Sequence, residues 1–221
     1  MKGMDGQLGA WTMEDNGYVE VRDEPRHRHR FENDYIRLYD VLIPQEDQTL
    51  YHRHGLDTFY VMIADSSVED QTFGETTTSV AQITAGGAFL RPHESQPLIH
   101  RVCNVGLRDA RMIGAELKTA PPVSNPAPLD APCHSLRKEH DRLRVHRLVI
   151  EPDQTTGPIS YGFYSLTVVL RAAVISIGDE FQDETVMSCS AGDAIWQPPR
   201  SNFVISNKGE VEYRAVVAEW R

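Results

Sequence analysis

Along most of the chain, apolar and polar residues alternate over short runs, and no sustained 3.6-residue period appears. That alternation predicts β-strands over residues 35–43, 58–63, 78–83, 110–117, 144–150, 167–177, 202–205 and 212–219. Turn formers separate them: Pro44, Ala85-Gly86-Gly87, Asn104-Val105-Gly106, Pro152, Gly178-Asp179, Ala191-Gly192 and Asn207-Lys208-Gly209. Many short strands with this punctuation point to an all-β sandwich, jelly roll or barrel. Residues 119–133, TAPPVSNPAPLDAPC, are too rich in proline for a ladder or a helix and read as a linker. A short helical piece is expected after it, over 135–140.

The two sides of the linker repeat one another. The segment IRLYDVLI at 36–43 returns 107 residues later as LRVHRLVI at 143–150. The turn Gly86-Gly-Ala-Phe-Leu-Arg-Pro92 returns after 106 residues as Gly192-Asp-Ala-Ile-Trp-Gln-Pro198, and Asn104-Val-Gly106 after 103 as Asn207-Lys-Gly209. Matches in constant order at a nearly constant offset mark a duplication. The expected organisation is an arm over 1–30, a first unit over 31–118, the linker over 119–140 and a second unit over 141–221.

Composition narrows the function. The 221 residues carry 22 basic and 32 acidic side chains, a formal charge of -10, which disfavours nucleic-acid or anionic-membrane partners. Apolar runs such as 166–170 are too short to span a bilayer, and the N-terminal residues lack the apolar core of a secretory signal. Three cysteines without C-x-x-C spacing argue against a disulfide framework and a zinc-thiolate cage, and a cytoplasmic location is expected.

The candidate chemistry lies in Tyr51-His52-Arg53-His54. On a strand the two imidazoles project from one face, close enough to share an ion. Downstream come the turn from Gly86 to Pro92 and then His100, with Asn104 four residues further on. An H-x-H followed by Gly-x5-Pro and His-x3-Asn resembles the two motifs of the cupin superfamily over about residues 30–118. With the repeat, the chain resembles a bicupin of two tandem jelly-roll barrels.

The resemblance implies His52, His54 and His100 as ligands of one divalent metal. It departs from the family pattern in three ways. The glycines of the first motif are missing, Thr58 stands where a glutamate ligand is usual, and the stretch from Pro92 to His100 is three residues longer. In the second copy, the offsets place Ile159, Tyr161 and Phe203 at the three histidine positions, so that unit is expected to be metal-free. Three neutral imidazoles leave a divalent ion's charge uncompensated and favour a small anionic or chelating substrate. Among cupins such a centre is similar to those of ferrous dioxygenases. Fe(II) is therefore favoured, with Ni, Mn or Zn as alternatives, and a redox-neutral lyase or isomerase or a non-catalytic binding module as other readings.

Around this core, Tyr60 and His93 are candidates for substrate positioning or proton transfer, set against a core tyrosine and a solvated loop histidine. Asp57 is expected to orient a neighbour or hold a turn. A second H-x-H, in Arg26-His27-Arg28-His29-Arg30, is expected to form an exposed basic strand or arm, because its arginines would repel a cation and no third ligand is apparent. A homodimer is possible for such a chain.

Overall fold

The computed structural model describes residues 17–123, 126–179 and 182–221. Among them there is no α-helix; one 3₁₀ turn, Val21–Asp23, interrupts nineteen strands. The first ten are β1 (Val19–Glu20), β2 (His27–Glu32), β3 (Ile36–Ile43), β4 (His52–His54), β5 (Thr58–Met62), β6 (Ser66–Thr72), β7 (Ser79–Ile83), β8 (Ala88–Arg91), β9 (Leu98–Asn104) and β10 (Ala110–Leu117). They form two five-stranded sheets, β1-β4-β9-β6-β7 and β2-β3-β10-β5-β8. The next nine are β11 (His134–Glu139), β12 (Leu143–Ile150), β13 (Ile159–Tyr161), β14 (Tyr164–Val169), β15 (Ala173–Asp179), β16 (Gln182–Cys189), β17 (Ala194–Gln197), β18 (Arg200–Asn207) and β19 (Tyr213–Trp220). Their sheets, β11-β12-β19-β14-β17 and β13-β18-β15-β16, repeat the first pair strand for strand, apart from β1. The chain is two tandem jelly-roll units.

Local chemistry repeats with the topology. Asn104 Nδ2 donates to the carbonyls of Ile43 and Arg108 while its Oδ1 accepts from Gly106 N. Asn207 does the same with Ile150, Val211 and Gly209. Buried Glu116 takes Arg37 at 2.9 Å and Tyr39 at 3.3 Å. Its counterpart Glu219 takes Arg144 at 3.1 Å and has His146 at 3.6 Å. A buried charge without such a partner would cost several kcal/mol, which explains why the pair survives in both copies.

The apolar material lies mainly between the units. Ile36, Leu38, Phe59, Val61, Ile113, Ala115 and Leu117 of the first pack with Leu143, Val145, Leu166, Val168, Val216, Ala218 and Trp220 of the second. Trp220 sits edge-on to Phe59 and Trp196 in this seam. Residues of opposite parity on the same strands turn inward. In the second unit they meet a large apolar cluster around Tyr161, Phe163, Phe203 and Tyr213. In the first the inward apolar cluster is small, built on Tyr39, Val41, Ile43, Val68 and Ala110, and the rest of the interior is polar.

Several expectations change. Residues 135–140 do not form a helical piece; β11 pairs with β12 and takes the place that β2 holds beside β3, so sheet pairing overrides the helix-forming Leu-Arg-Lys-Glu run. The expected strand over 167–177 is two strands, broken around Arg171. Residues 19–20 and 27–30, expected within an arm, pair into both sheets of the first unit as part of β1 and β2. Residues 1–16 of that arm lie outside the described residues.

Candidate metal centre

The polar interior of the first unit is a cluster of histidines supplied by different strands. β4 turns His52 and His54 inward, 1% and 2% exposed, and Arg53 outward. β9 pairs antiparallel with β4 and sets His100 directly opposite His52. His27, the first residue of β2, enters from the other sheet and is buried while the rest of that strand is exposed. His93 follows β8 in a turn and stacks on His54, with ring centres 4.8 Å apart. The His52 ring lies 4.7 Å from those of His27 and His100 and 4.8 Å from that of His54.

Each of three rings is held through Nδ1 by an oxygen that can only accept. The His52 Nδ1 lies 2.9 Å from the Leu50 carbonyl, His27 Nδ1 2.9 Å from Glu24 Oε2, and His100 Nδ1 2.5 Å from Asp70 Oδ2. As neutral imidazoles these rings must carry the proton on Nδ1, which leaves the Nε2 lone pair for another partner. The His100 Nε2 is buried and has no protein partner. This is the arrangement that orients histidines toward a metal, with the carbonyl or carboxylate behind each ring raising its basicity. One donor atom from each of His27, His52 and His54 lies within 4.8 Å of the others. Donors at about 2.1 Å from one ion stand about 3–4 Å apart, so small side-chain adjustments close the site.

Electrostatics favour neutral donors. Burial, followed by the neighbouring histidines, holds His52 and His54 well below the usual imidazole range, and burial then His100 lowers His93. Burial would raise the Glu24 carboxyl, but His27 and the backbone N–H groups of Leu50 and Arg26 outweigh it and hold it ionised. Tyr60 OH stands 3.5 Å from His54 Nδ1, and burial pushes the phenol up, so it stays a donor at neutral pH.

The rings of His52, His54, His100, His93 and Tyr60 are neighbours, but the donor atoms that converge within 4.8 Å are those of His27, His52 and His54, and His100 is not among them. His93 is not on a solvated loop; it is 5% exposed. Asp57 accepts from Glu94 N at 2.9 Å and so braces the turn that carries His93. Thr58 donates to the Leu56 carbonyl.

The residue that the sequence reading set aside is His27. Its arginine neighbours do not oppose a cation, because Arg26 turns to Asp47 at 2.7 Å and Arg30 to Asp40 at 3.3 Å. Strand alternation around 26–30, carried through the 107-residue offset to His134, was the available signal.

In the second unit Ile159 faces Phe203 as His52 faces His100, and Tyr161 follows two residues on after a register shift, all three buried in the apolar cluster. Of the four positions only that of His27 keeps its histidine, His134, whose Nε2 lies 2.6 Å from Tyr161 OH.

No protein-family model matches the chain, and neither does any curated protein. Solved structures do. An oxalate decarboxylase mutant from Bacillus subtilis superposes with a TM-score of 0.58 at 9% identity, over 88% of this chain and 75% of its own. AerE from Microcystis aeruginosa gives 0.57 at 9% identity over 90% and 98%, and YhaK from Escherichia coli 0.54 at 13% over 89% and 92%. The fold is the cupin fold, in duplicate. At these identities the likeness covers the bicupin architecture alone. Among the described residues no helix is long and apolar enough to cross a membrane.

Proposed function

We propose that the first cupin unit holds one divalent metal ion between His52, His54 and His100, with His27 as an additional ligand, and that this centre acts on a small chelating anion in an oxygenase reaction. The observation behind this reading is the set of three rings, His27, His52 and His100, anchored through Nδ1, which leaves Nε2 lone pairs in the buried interior of the unit, where His100 Nε2 has no protein partner. The donor set fits a divalent ion of the imidazole-preferring group, Fe, Ni, Cu or Zn, and Mn is included because the Bacillus subtilis oxalate decarboxylase that shares the fold has Mn(II) centres. Such an ion polarises a bound anion and, when redox-active, engages dioxygen.

The chain's own groups orient and move protons. Tyr60, kept protonated by burial, would donate a hydrogen bond to an anionic oxygen of the substrate. His93, neutral and braced by Asp57, would accept a proton at the pocket wall. Glu24 and Asp70 sit behind the ligand rings and supply the negative charge that the missing glutamate ligand would have brought.

The test is metal analysis of untagged protein beside His52→Ala, followed by oxygen-uptake screening with thiols, diketones and phenolic acids. About one equivalent of metal, lost in the variant, with substrate-dependent oxygen consumption, is expected. Metal content unchanged by His52→Ala would refute the site. Turnover that persists without oxygen would replace the oxygenase by a redox-neutral lyase or isomerase.

A further inference from the structure

Because the chain is a duplication, every seam residue has a counterpart, and at one place the two copies differ in charge. In the first unit buried Asp40, on β3, is clamped by two arginines. Arg111 meets both oxygens, Nε to Oδ1 at 3.0 Å and Nη2 to Oδ2 at 2.9 Å, and Arg30 reaches Oδ2 at 3.3 Å. Arg111 also donates to the Ala191 carbonyl of the second unit. The two arginines thus share one carboxylate within the protein, and the clamp locks one end of the seam.

The strand registers identify the equivalent positions. Asp40 pairs with Ile113 as Arg147 pairs with Val216, and Arg111 pairs with Leu42 as Arg214 pairs with Val149. Arg30 and Arg137 occupy the matching irregularities of β2 and β11. The two clamping arginines are therefore retained as Arg137 and Arg214, while the carboxylate between them has become a third arginine, Arg147.

What surrounds Arg147 supplies no carboxylate in its place. It donates to the Gly86 carbonyl at 2.9 Å, and Lys138 donates to the Ala88 carbonyl at 2.7 Å. Carbonyls satisfy N–H groups but carry no compensating charge. Arg214 is drawn off to Glu212 at 2.5 Å. Among the described residues, no carboxylate lies within ion-pair distance of Arg137, Lys138 or Arg147, in a chain whose overall charge is -10. The Arg147 Nε is buried without a partner. Burial, and after it Arg137 and Arg214, push this guanidinium below its usual range. Here a cleft of about 380 Å³ opens between the units, bounded by Gly86, Ala88, Arg137, Lys138, Arg147 and Val216.

We propose that this seam cleft binds a small polyanion, a polycarboxylate or a phosphate ester, whose anionic group supplies the charge that Asp40 supplies in the first copy. The volume falls in the range of small-molecule sites, and planar guanidinium groups suit carboxylate and phosphoryl oxygens. The site shares no residue with the histidine cluster, so it stands or falls independently of the metal reading.

The test is calorimetric titration of the full chain with citrate and, separately, with inorganic phosphate, against sodium chloride at matched ionic strength. Saturable binding of at least one of the two anions is expected. Arg147→Asp, which restores the first copy's arginine–carboxylate clamp, should weaken it at least tenfold and raise the ligand-free melting temperature. Arg137→Ala alters only an exposed side chain and keeps the question open to measurement if Arg147→Asp fails to fold; it should weaken binding several-fold. Metal content should be unchanged in both. Absence of saturable binding with either anion, binding no stronger than that of chloride, or retention within twofold in the folded variants would each overturn the proposal.

Discussion

Asp70 offers the sharpest test of how the histidine cluster is held. Its Oδ2 lies 2.5 Å from His100 Nδ1, on the side of the ring away from the buried Nε2. Removing this carboxylate leaves every proposed ligand in place but frees the His100 ring to rotate and to change tautomer. Loss of such an outer partner generally costs 10–100-fold in metal affinity, about 1.4–2.7 kcal/mol. The Asp70 side chain is 34% exposed, so water replaces part of the lost interaction. Asp70→Asn, which keeps an acceptor but not the charge, should therefore fall near the lower limit, about 10-fold. Asp70→Ala should lie above it, and His100→Ala, which deletes the donor, should exceed both. Dissociation constants measured by competition with a chromophoric chelator at pH 7.5 give the order directly. If Asp70→Ala stays within twofold of the parent while His100→Ala does not, the carboxylate is not what orients the ring. If His100→Ala itself stays within twofold, His100 is not a ligand.

Metal-free protein should lose stability as pH falls below about 6.5, because the unfolded chain protonates His52 and His54 there while burial keeps the folded forms neutral. The unfolded state then binds more protons, so stability drops by up to about 1.4 kcal/mol per pH unit per histidine until the folded values are reached; urea melts from pH 7.5 to 5.5 would show it, and a flat profile would contradict it. Glu219→Ala removes one of the two carboxylates that hold buried Arg144, leaving Glu139 at 2.8 Å, and should cost about 1–3 kcal/mol by denaturant melts, with no measurable loss arguing against the pair. Trp220→Ala opens the seam beside Phe59 and Trp196 and should cost about 3–5 kcal/mol in the same assay, lowering the stability of the whole chain in one transition.

Much of the architecture could be read from the sequence because the duplication repeats apolar alternation at a fixed offset, as in 36–43 and 143–150. Strands without that alternation escaped: β6, SSVEDQT, and β9, LIHRVCN, carry polar residues toward the histidine pocket or solvent rather than a core. Helix-forming residues in β11 misled because pairing with β12 decides that segment. At the site, His52 and His54 were visible from strand parity and His100 from the motif it follows. His27 was not, because adjacent arginines in the sequence look like a repulsive environment when they point the opposite way. The carboxylates stand in no sequence pattern: Glu24 reaches His27 from three residues upstream, past the 3₁₀ turn, and Asp70 reaches His100 across the pairing of β6 with β9.

The location of the apolar packing has a consequence for how the two copies can diverge. The first unit's interior is given over to imidazoles and their acceptors, so its own inward apolar cluster is small, and most of its buried aliphatic surface faces its twin. The second unit, whose interior is filled by Ile159, Tyr161 and Phe203, is thereby packed as a scaffold for the first and holds no second histidine cluster of this kind. Mutational drift in that second interior would be tolerated so long as its outer face stays complementary. A change at the seam, by contrast, would be felt as looseness among histidines it never touches.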